Sequence, residues 1–384
     1  MTSNSLYILA ILCCNVALSE WLARNTALRH LGSALVVIVL TALVANVGLI
    51  PAYDPQIPVY AGTFEYVAPL AIFLLLLRVN LRGLAQVGVP MLLLFLLGST
   101  GTMAGVLLGM KVVGGSRVFG ELHYALGGMF VGTYTGGSIN FNAIAIEYGV
   151  AKDGLLYAGA SVVDSVMTTL WMATCVALPR LLRHFAPQRA AAPVTLPEAG
   201  PGLEEDSEKV NPLELSLVLA LALFAVWFSG WFSAELALWW KPVPSILILT
   251  TLALILAQLK PIQGLRGTKL CGMSAVLLFL AVIGALCDFS ALRDIGDLGF
   301  HLMIFASVIV LVHGSIVFAA VVILRLDADM AAVASQANIG GSTSALALAR
   351  SLGRADLVLP GILVGSLGNA LGTYLGFATA EWLQ

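Results

Sequence analysis

The sequence predicts an all-α polytopic membrane protein. It is read as two inverted-topology repeats, each with about five transmembrane helices plus one Gly-Gly-Ser re-entrant hairpin or broken helix. Three observations predict this. The 384 residues are 59% hydrophobic and only 10% charged, against roughly 25% charged for a soluble chain. Apolar stretches able to cross ~30 Å of hydrocarbon recur twelve times, with one polar gap after the sixth. A Gly-Gly-Ser motif occupies the same place in each set of six, at 136–138 and 340–342.

The first set comprises 5–23, 30–50, 58–77, 84–110, 121–150 and 154–179. Its opening run lacks the basic n-region of a cleaved leader and is read as a retained first span. The gap that follows carries Pro187, Pro193, Pro197, Pro201 and Pro212, an alanine run and Glu204-Glu205-Asp206. Such a composition cannot bury enough apolar area to fold alone. The second set comprises 213–238, 243–259, 270–287, 298–324, 327–351 and 356–380. The chain therefore divides into a first repeat (1–179), a polar linker (180–212) and a second repeat (213–384). The two motifs lie 204 residues apart, and at that offset Ala143 and Ala145 match Ala347 and Ala349, while Thr169 matches Thr373. A shared order of elements around a shared motif is how transporter repeats show themselves in sequence.

Charge distribution discriminates between topologies. If all twelve segments cross, nine Lys/Arg fall inside and ten outside, with no bias. If each Gly-Gly-Ser segment returns to the side it entered from, fourteen fall inside and five outside. The second arrangement has ten crossings, two hairpins, both termini outside and the linker in the cytoplasm.

Composition also excludes classes of function. With 19 Lys+Arg against 21 Asp+Glu and a net charge of −2, the chain has no basic surface to hold nucleic acid. The five cysteines, Cys13, Cys14, Cys175, Cys271 and Cys287, show no metal-ligand spacing and read as small buried hydrophobes. No cofactor is expected beyond a possible Na⁺.

Irregular backbone at membrane depth is tolerated where it is buried in protein or lines a cavity, so two hairpin tips meeting near the midplane imply a binding site. The serine after each glycine pair is placed as the N-cap of the outgoing arm, whose free N–H groups and dipole suit a carboxylate. The expected substrate residues are Gly136, Gly137, Ser138, Asn140, Asn142, Gly340, Gly341, Ser342, Thr343 and Asn369. Asp164, in GASVVDSVMTTLW, has no Lys or Arg at its depth, and a buried carboxylate without a partner must take a proton or a cation. It leads the expected coupling-ion set, with Thr133, Thr135, Ser165, Gln336 and Asn338 as neutral ligands. Glu65 is the runner-up acid, and His313 reads as a hydrogen-bonded core histidine. The competing readings are a passive channel and a membrane-embedded hydrolase using Ser138 or Ser342 with His123 or His313. Neither motif forms the GxSxG elbow that a hydrolase of that kind uses.

TYTGGSINFNAIA, ANIGGSTSALALA and GILVGSLGNALGTYLGF resemble the bacterial membrane family of domain of unknown function 819, the YjcL-like proteins, across essentially the whole chain. That family is similar to the cation/proton antiporter and anion transporter superfamily. The resemblance implies a secondary transporter in a bacterial inner membrane with elevator-type alternating access. The resemblance supplies no substrate; the helix N-termini and Asp164 lead to the expectation that Na⁺ or H⁺ is coupled to a small carboxylate-bearing metabolite such as an organic anion, amino acid or short peptide. A core of the fourth to sixth and tenth to twelfth segments would move against a scaffold, through which a homodimer would form.

Overall fold

The computed structural model describes residues 4–30, 32–52, 57–181, 210–239, 243–287 and 292–384. The linker expected at 180–212 falls almost wholly outside these. Every regular element among the described residues is helical. The first half runs α1 (Ser5–Asn25), α2 (Gly32–Asn46), α3 (Pro58–Leu76), α4 (Val89–Val113), α5 (His123–Gly136), α6 (Ser138–Glu147) and α7 (Gly154–Leu181). The second runs α8 (Pro212–Trp239), α9 (Ser245–Leu256), α10 (Thr268–Ala285), α11 (Leu292–Leu324), α12 (Ala328–Ser351) and α13 (Val358–Leu383).

Eight of these helices are long and apolar enough to cross a membrane: α1, α3, α4, α7, α8, α10, α11 and α13. The chain is a multi-pass membrane protein. α2 and α9 are equally apolar but have only 15 and 12 residues. At 1.5 Å per residue they fall short of ~30 Å.

Local chemistry sets the ends. The Asn4 side chain accepts from Leu6 N–H (2.9 Å) and Tyr7 N–H (3.2 Å), capping α1. α4 starts with Pro90 in its first turn, where a missing N–H costs nothing, and stops at Gly114 in the left-handed region. α3 contains a π-helical turn at Thr63–Val67.

α5 and α6 fold back on one another. The ring of Tyr124, at the start of α5, lies 5.2 Å from that of Tyr148, just beyond α6. Phe130 meets Phe141 at 6.2 Å, and the Ile144 side chain lies against Gly128 and Gly132. α12 is likewise broken, at Gly341 (φ 74, ψ −172). A straight helix of its 24 residues would hold its ends ~36 Å apart. Instead Arg354, just past its end, bonds at 2.8 Å to Asp327, its N-cap. Both Gly-Gly-Ser segments are therefore helical hairpins.

The helices sort into two packed groups. One contains α4 to α7 and α11 to α13, with α4 and α11 in intimate contact: a Cβ on Gly105 would lie 2.8 Å from the Ile309 backbone. The other contains α1 to α3 and α8 to α10, centred on α10 against α2 and α3, where Phe64 and Phe279 meet edge to face at 5.7 Å. Contacts between the groups are sparse. They include Cys287 S–H to the Gly154 carbonyl (3.1 Å) and a Thr251–Tyr374 hydroxyl bond (2.6 Å). α8 turns Phe224, Trp227 and Trp231 outward, as a helix in lipid does. Cys13 and Cys14 are also exposed, so only Cys175 and Cys287 are buried as the sequence led one to expect; Cys271 is intermediate, and all five are free.

Candidate functional site

The two glycines of each motif do different work. The second carries the turn: Gly137 has φ 100, ψ −178 and Gly341 has φ 74, ψ −172, a region essentially reserved for glycine. The first sits in a crowded place. A Cβ on Gly136 would overlap the backbone of Gly368 in α13, whereas a Cβ on Gly340 would first meet side-chain atoms of its own segment, Gln336 Nε2 (2.5 Å), Ser344 Oγ (2.6 Å) and Ser344 Cβ (2.7 Å).

α13 passes both tips. A Cβ on Gly365 would lie 2.5 Å from Ser342 Cα, and the Gly136 carbonyl oxygen stands 3.7 Å from where a Cβ of Gly341 would be. Below the tip, Gly132 and Gly128 meet Gly372 and Gly376, so that a Cβ on Gly376 would come within 2.7 Å of the Gly128 carbonyl oxygen. Six glycines at four-residue spacing thus bring two backbones together, as small residues do in membrane helix pairs. Sequence reasoning missed this role of Gly365, Gly368, Gly372 and Gly376, although the spacing itself was legible.

Of the expected substrate residues, Ser138 and Thr343 are exposed, while Gly137, Gly340, Ser342 and Asn369 are partly accessible. Gly136 and Gly341 are buried. The N-cap expectation needs correction: Gly137 takes that position, and Ser138 is the first residue inside α6 without a side-chain cap bond. Asn140 and Asn142 are buried with partners. Asn140 Oδ1 accepts from Thr373 Oγ1 (2.7 Å) and its Nδ2 donates to the Gly368 carbonyl (3.4 Å). Asn142 accepts from the Tyr157 hydroxyl. These bonds tie the first hairpin to α13 and α7.

Asp164 faces inward from α7 and is partly accessible. Thr133 Oγ1 is 3.4 Å from each of its carboxylate oxygens, a long contact, and among the described residues no Lys, Arg or His pairs with it. Ser161, Asp164, Ser165 and Thr168 form a partly accessible polar stripe along one side of α7. Within the same helix group several buried polar atoms lack any partner: Tyr134 OH, Thr135 Oγ1, Asn338 Oδ1 and both amide atoms of Gln336. Asn338 Nδ2 donates to Ser99 Oγ (2.9 Å). Glu65 lies exposed on the π-helical turn of α3, in the other group, away from these residues.

The family described as a protein of unknown function, DUF819, matches residues 10–384. The chain belongs to the DUF819 family. It is also similar to the "Uncharacterized membrane protein YjcL" of Bacillus subtilis, with 29% identity over 355 residues that cover 88% of this chain and 86% of that protein.

In this DUF819 protein the two histidines weighed as bases are committed elsewhere. His313 Nδ1 lies 2.8 Å from the Gly98 carbonyl and must donate to it, leaving Nε2 to accept from Ser335 Oγ (2.8 Å). Ser335 in turn accepts from Trp171 Nε1–H (2.9 Å). The ring is thus a neutral, satisfied link between α4, α11, α12 and, through Ser335, α7. His123 bonds to the carbonyls of Gly120 and Leu383. Neither ring reaches Ser138 or Ser342.

Proposed function

We propose that the chain is a secondary active transporter of the bacterial inner membrane, working by elevator-type alternating access. It couples Na⁺ or H⁺ to movement of a small carboxylate-bearing metabolite such as an organic anion, amino acid or short peptide. In this reading the two halves are inverted repeats. Each hairpin returns to the side it enters from, both termini lie outside and the linker is cytoplasmic. The fourteen-to-five bias of basic residues supports that topology, as does the absence of both hairpins from the eight long apolar helices.

The observation that carries the reading is the pairing of two fold-back tips with an acid that has no basic partner among the described residues, all within one helix group. Gly137 and Gly341 break their helices in the same way, and the exposed Ser138 and Thr343 sit where arm N-termini offer N–H groups to a carboxylate. Asp164 would hold the coupling cation. Its neutralisation lets the helix group that carries it slide along the sparsely bonded second group. The carrier reading is preferred over a hydrolase because His123 and His313, the two candidate bases, bond to other partners.

Thermal unfolding of the wild type and Asp164→Asn in Na⁺ and in K⁺ at several pH values tests this. A cation bound only by the folded state stabilises it by about 2.7 kcal/mol at roughly 100 times its Kd. Na⁺-specific stabilisation absent from Asp164→Asn is the expected result. A pH dependence absent from the variant would assign the proton instead. Indifference of the wild type to both ions removes coupling at Asp164, and steady single-channel currents would replace the carrier with a channel.

A further inference from the structure

A hairpin arm crosses a long helix at two places in this fold, and the two crossings are lined by different residues. At the first, α5 runs antiparallel to α13 with Gly136, Gly132 and Gly128 on Gly368, Gly372 and Gly376. Shifted by the 204-residue repeat offset, these pairs become Gly340 with Asp164, Gln336 with Thr168, and Ala332 with Met172. The bond from Trp171 to Ser335 shows that α7 and the first arm of α12 keep this register to within about two residues, the reach of an indole. Five side chains thus replace glycines: Asp164, Thr168, Gln336, Met172 and the small Ala332.

Gln336 is fully buried, yet neither its Oε1 nor its Nε2 has a hydrogen-bond partner. An unpaired buried amide is costly and calls for a ligand. One turn away stands Asp164, partly accessible and held only by the long contacts from Thr133.

We infer that the crossing of α7 with the first arm of α12 is a single monovalent-cation site, with the Asp164 carboxylate, Thr133 Oγ1 and Gln336 Oε1 as side-chain ligands, and that its glycine-sealed counterpart binds none. One carboxylate offsets one positive charge, which matches a monovalent ion. Neutral oxygens from a threonine and an amide replace part of its water shell, as carbonyl oxygens do in channels. Among the described residues no three His, Cys, Asp or Glu side chains cluster as a harder-held metal would require. The inference rests on the carrier reading and adds a ligand and a stoichiometry to it: one coupling cation per transport cycle.

The test titrates Na⁺ against choline at constant ionic strength, reading the unfolding temperature of the full chain in detergent. The expected wild-type curve is non-cooperative. Gln336→Met, which keeps the volume and removes the oxygen, should raise the Na⁺ midpoint by about tenfold or more. Gln336→Glu, which keeps the size and adds a charge, should lower it at high pH and make it steeply pH-dependent. If Gln336→Met fails to fold, Gln336→Glu decides alone, and an unchanged midpoint overturns the proposal. Sensitivity to Asp164→Asn together with indifference to both Gln336 variants also overturns it while leaving the carrier reading intact. A cooperative wild-type curve overturns the single site. A wild type that ignores Na⁺ removes the coupling reading itself.

Discussion

The two hairpin-on-helix crossings share a backbone plan and differ in what fills them. Where α5 meets α13, glycine lies on glycine and the contact is backbone to backbone. Where the first arm of α12 meets α7, an acid, an amide and a threonine stand in the equivalent places, with polar atoms left unpaired. The first crossing is thus built for close backbone contact and the second, in the proposed reading, for binding, while unpaired polar atoms occur on both, Tyr134 OH and Thr135 Oγ1 on α5 and those of Gln336 and Asn338 on α12.

The sharpest way to break that comparison is to put one methyl group at each tip. Gly136→Ala would drive its Cβ into the Gly368 backbone, which cannot swing aside. A loss of more than about 4 kcal/mol is expected, visible as loss of the monodisperse folded peak in detergent. Gly340→Ala meets Gln336 Nε2 and the Oγ and Cβ of Ser344 within its own helix, so that the amide must rotate and the turn carrying Ser344 must give, at a cost of about 1–3 kcal/mol. Equal losses would mean that the two crossings are sealed alike.

The closures of the two hairpins sharpen the comparison further. The second is closed by Arg354, which is 5% exposed and bonds Asp327, Asp329 and Asp356. Arg354→Ala would strand the buried Asp327 carboxylate and should cost about 3–5 kcal/mol, measured as a fall in unfolding temperature. The first is closed by the Tyr124–Tyr148 ring pair, and Tyr124→Leu should cost only about 0.5–1.5 kcal/mol.

These pairs also mark how far the sequence could be read. The helix breaks were legible because a glycine pair inside an apolar run marks a turn, and several helix ends were legible because Pro, Asn and Gly act locally, whereas the expected 30–50 and 243–259 shorten to Gly32–Asn46 and Ser245–Leu256. The partners of Asn140 and Asn142 were not legible, for a physical reason. A polar residue near a tip can face a ligand or a neighbouring helix, and only the fold reveals Thr373 and Tyr157 as the partners. Arg354 counted as one more cytoplasmic charge, because its bond to Asp327, 27 residues earlier, exists only once the hairpin closes. The glycine seal went unread since a contact without side chains leaves only a spacing behind.

The smallest effect on stability falls at the residue with the largest expected effect on function. Ser138 is exposed and makes no cap bond, so Ser138→Ala should shift stability by no more than about 0.5 kcal/mol. It nonetheless stands at the exposed N-terminus of α6, where in the proposed reading a carboxylate would sit. Once a substrate is found by Na⁺-dependent uptake into proteoliposomes, Ser138→Ala should weaken its apparent affinity by about tenfold. Asn140→Leu, which breaks the bonds to Thr373 and Gly368, should do the reverse, costing about 1–3 kcal/mol of stability with affinity unchanged in the protein that folds. If Asn140→Leu weakens affinity and Ser138→Ala does not, the substrate lies deeper than the tip, on the sealed side of the first hairpin, and the division between a rigid crossing and a binding one fails.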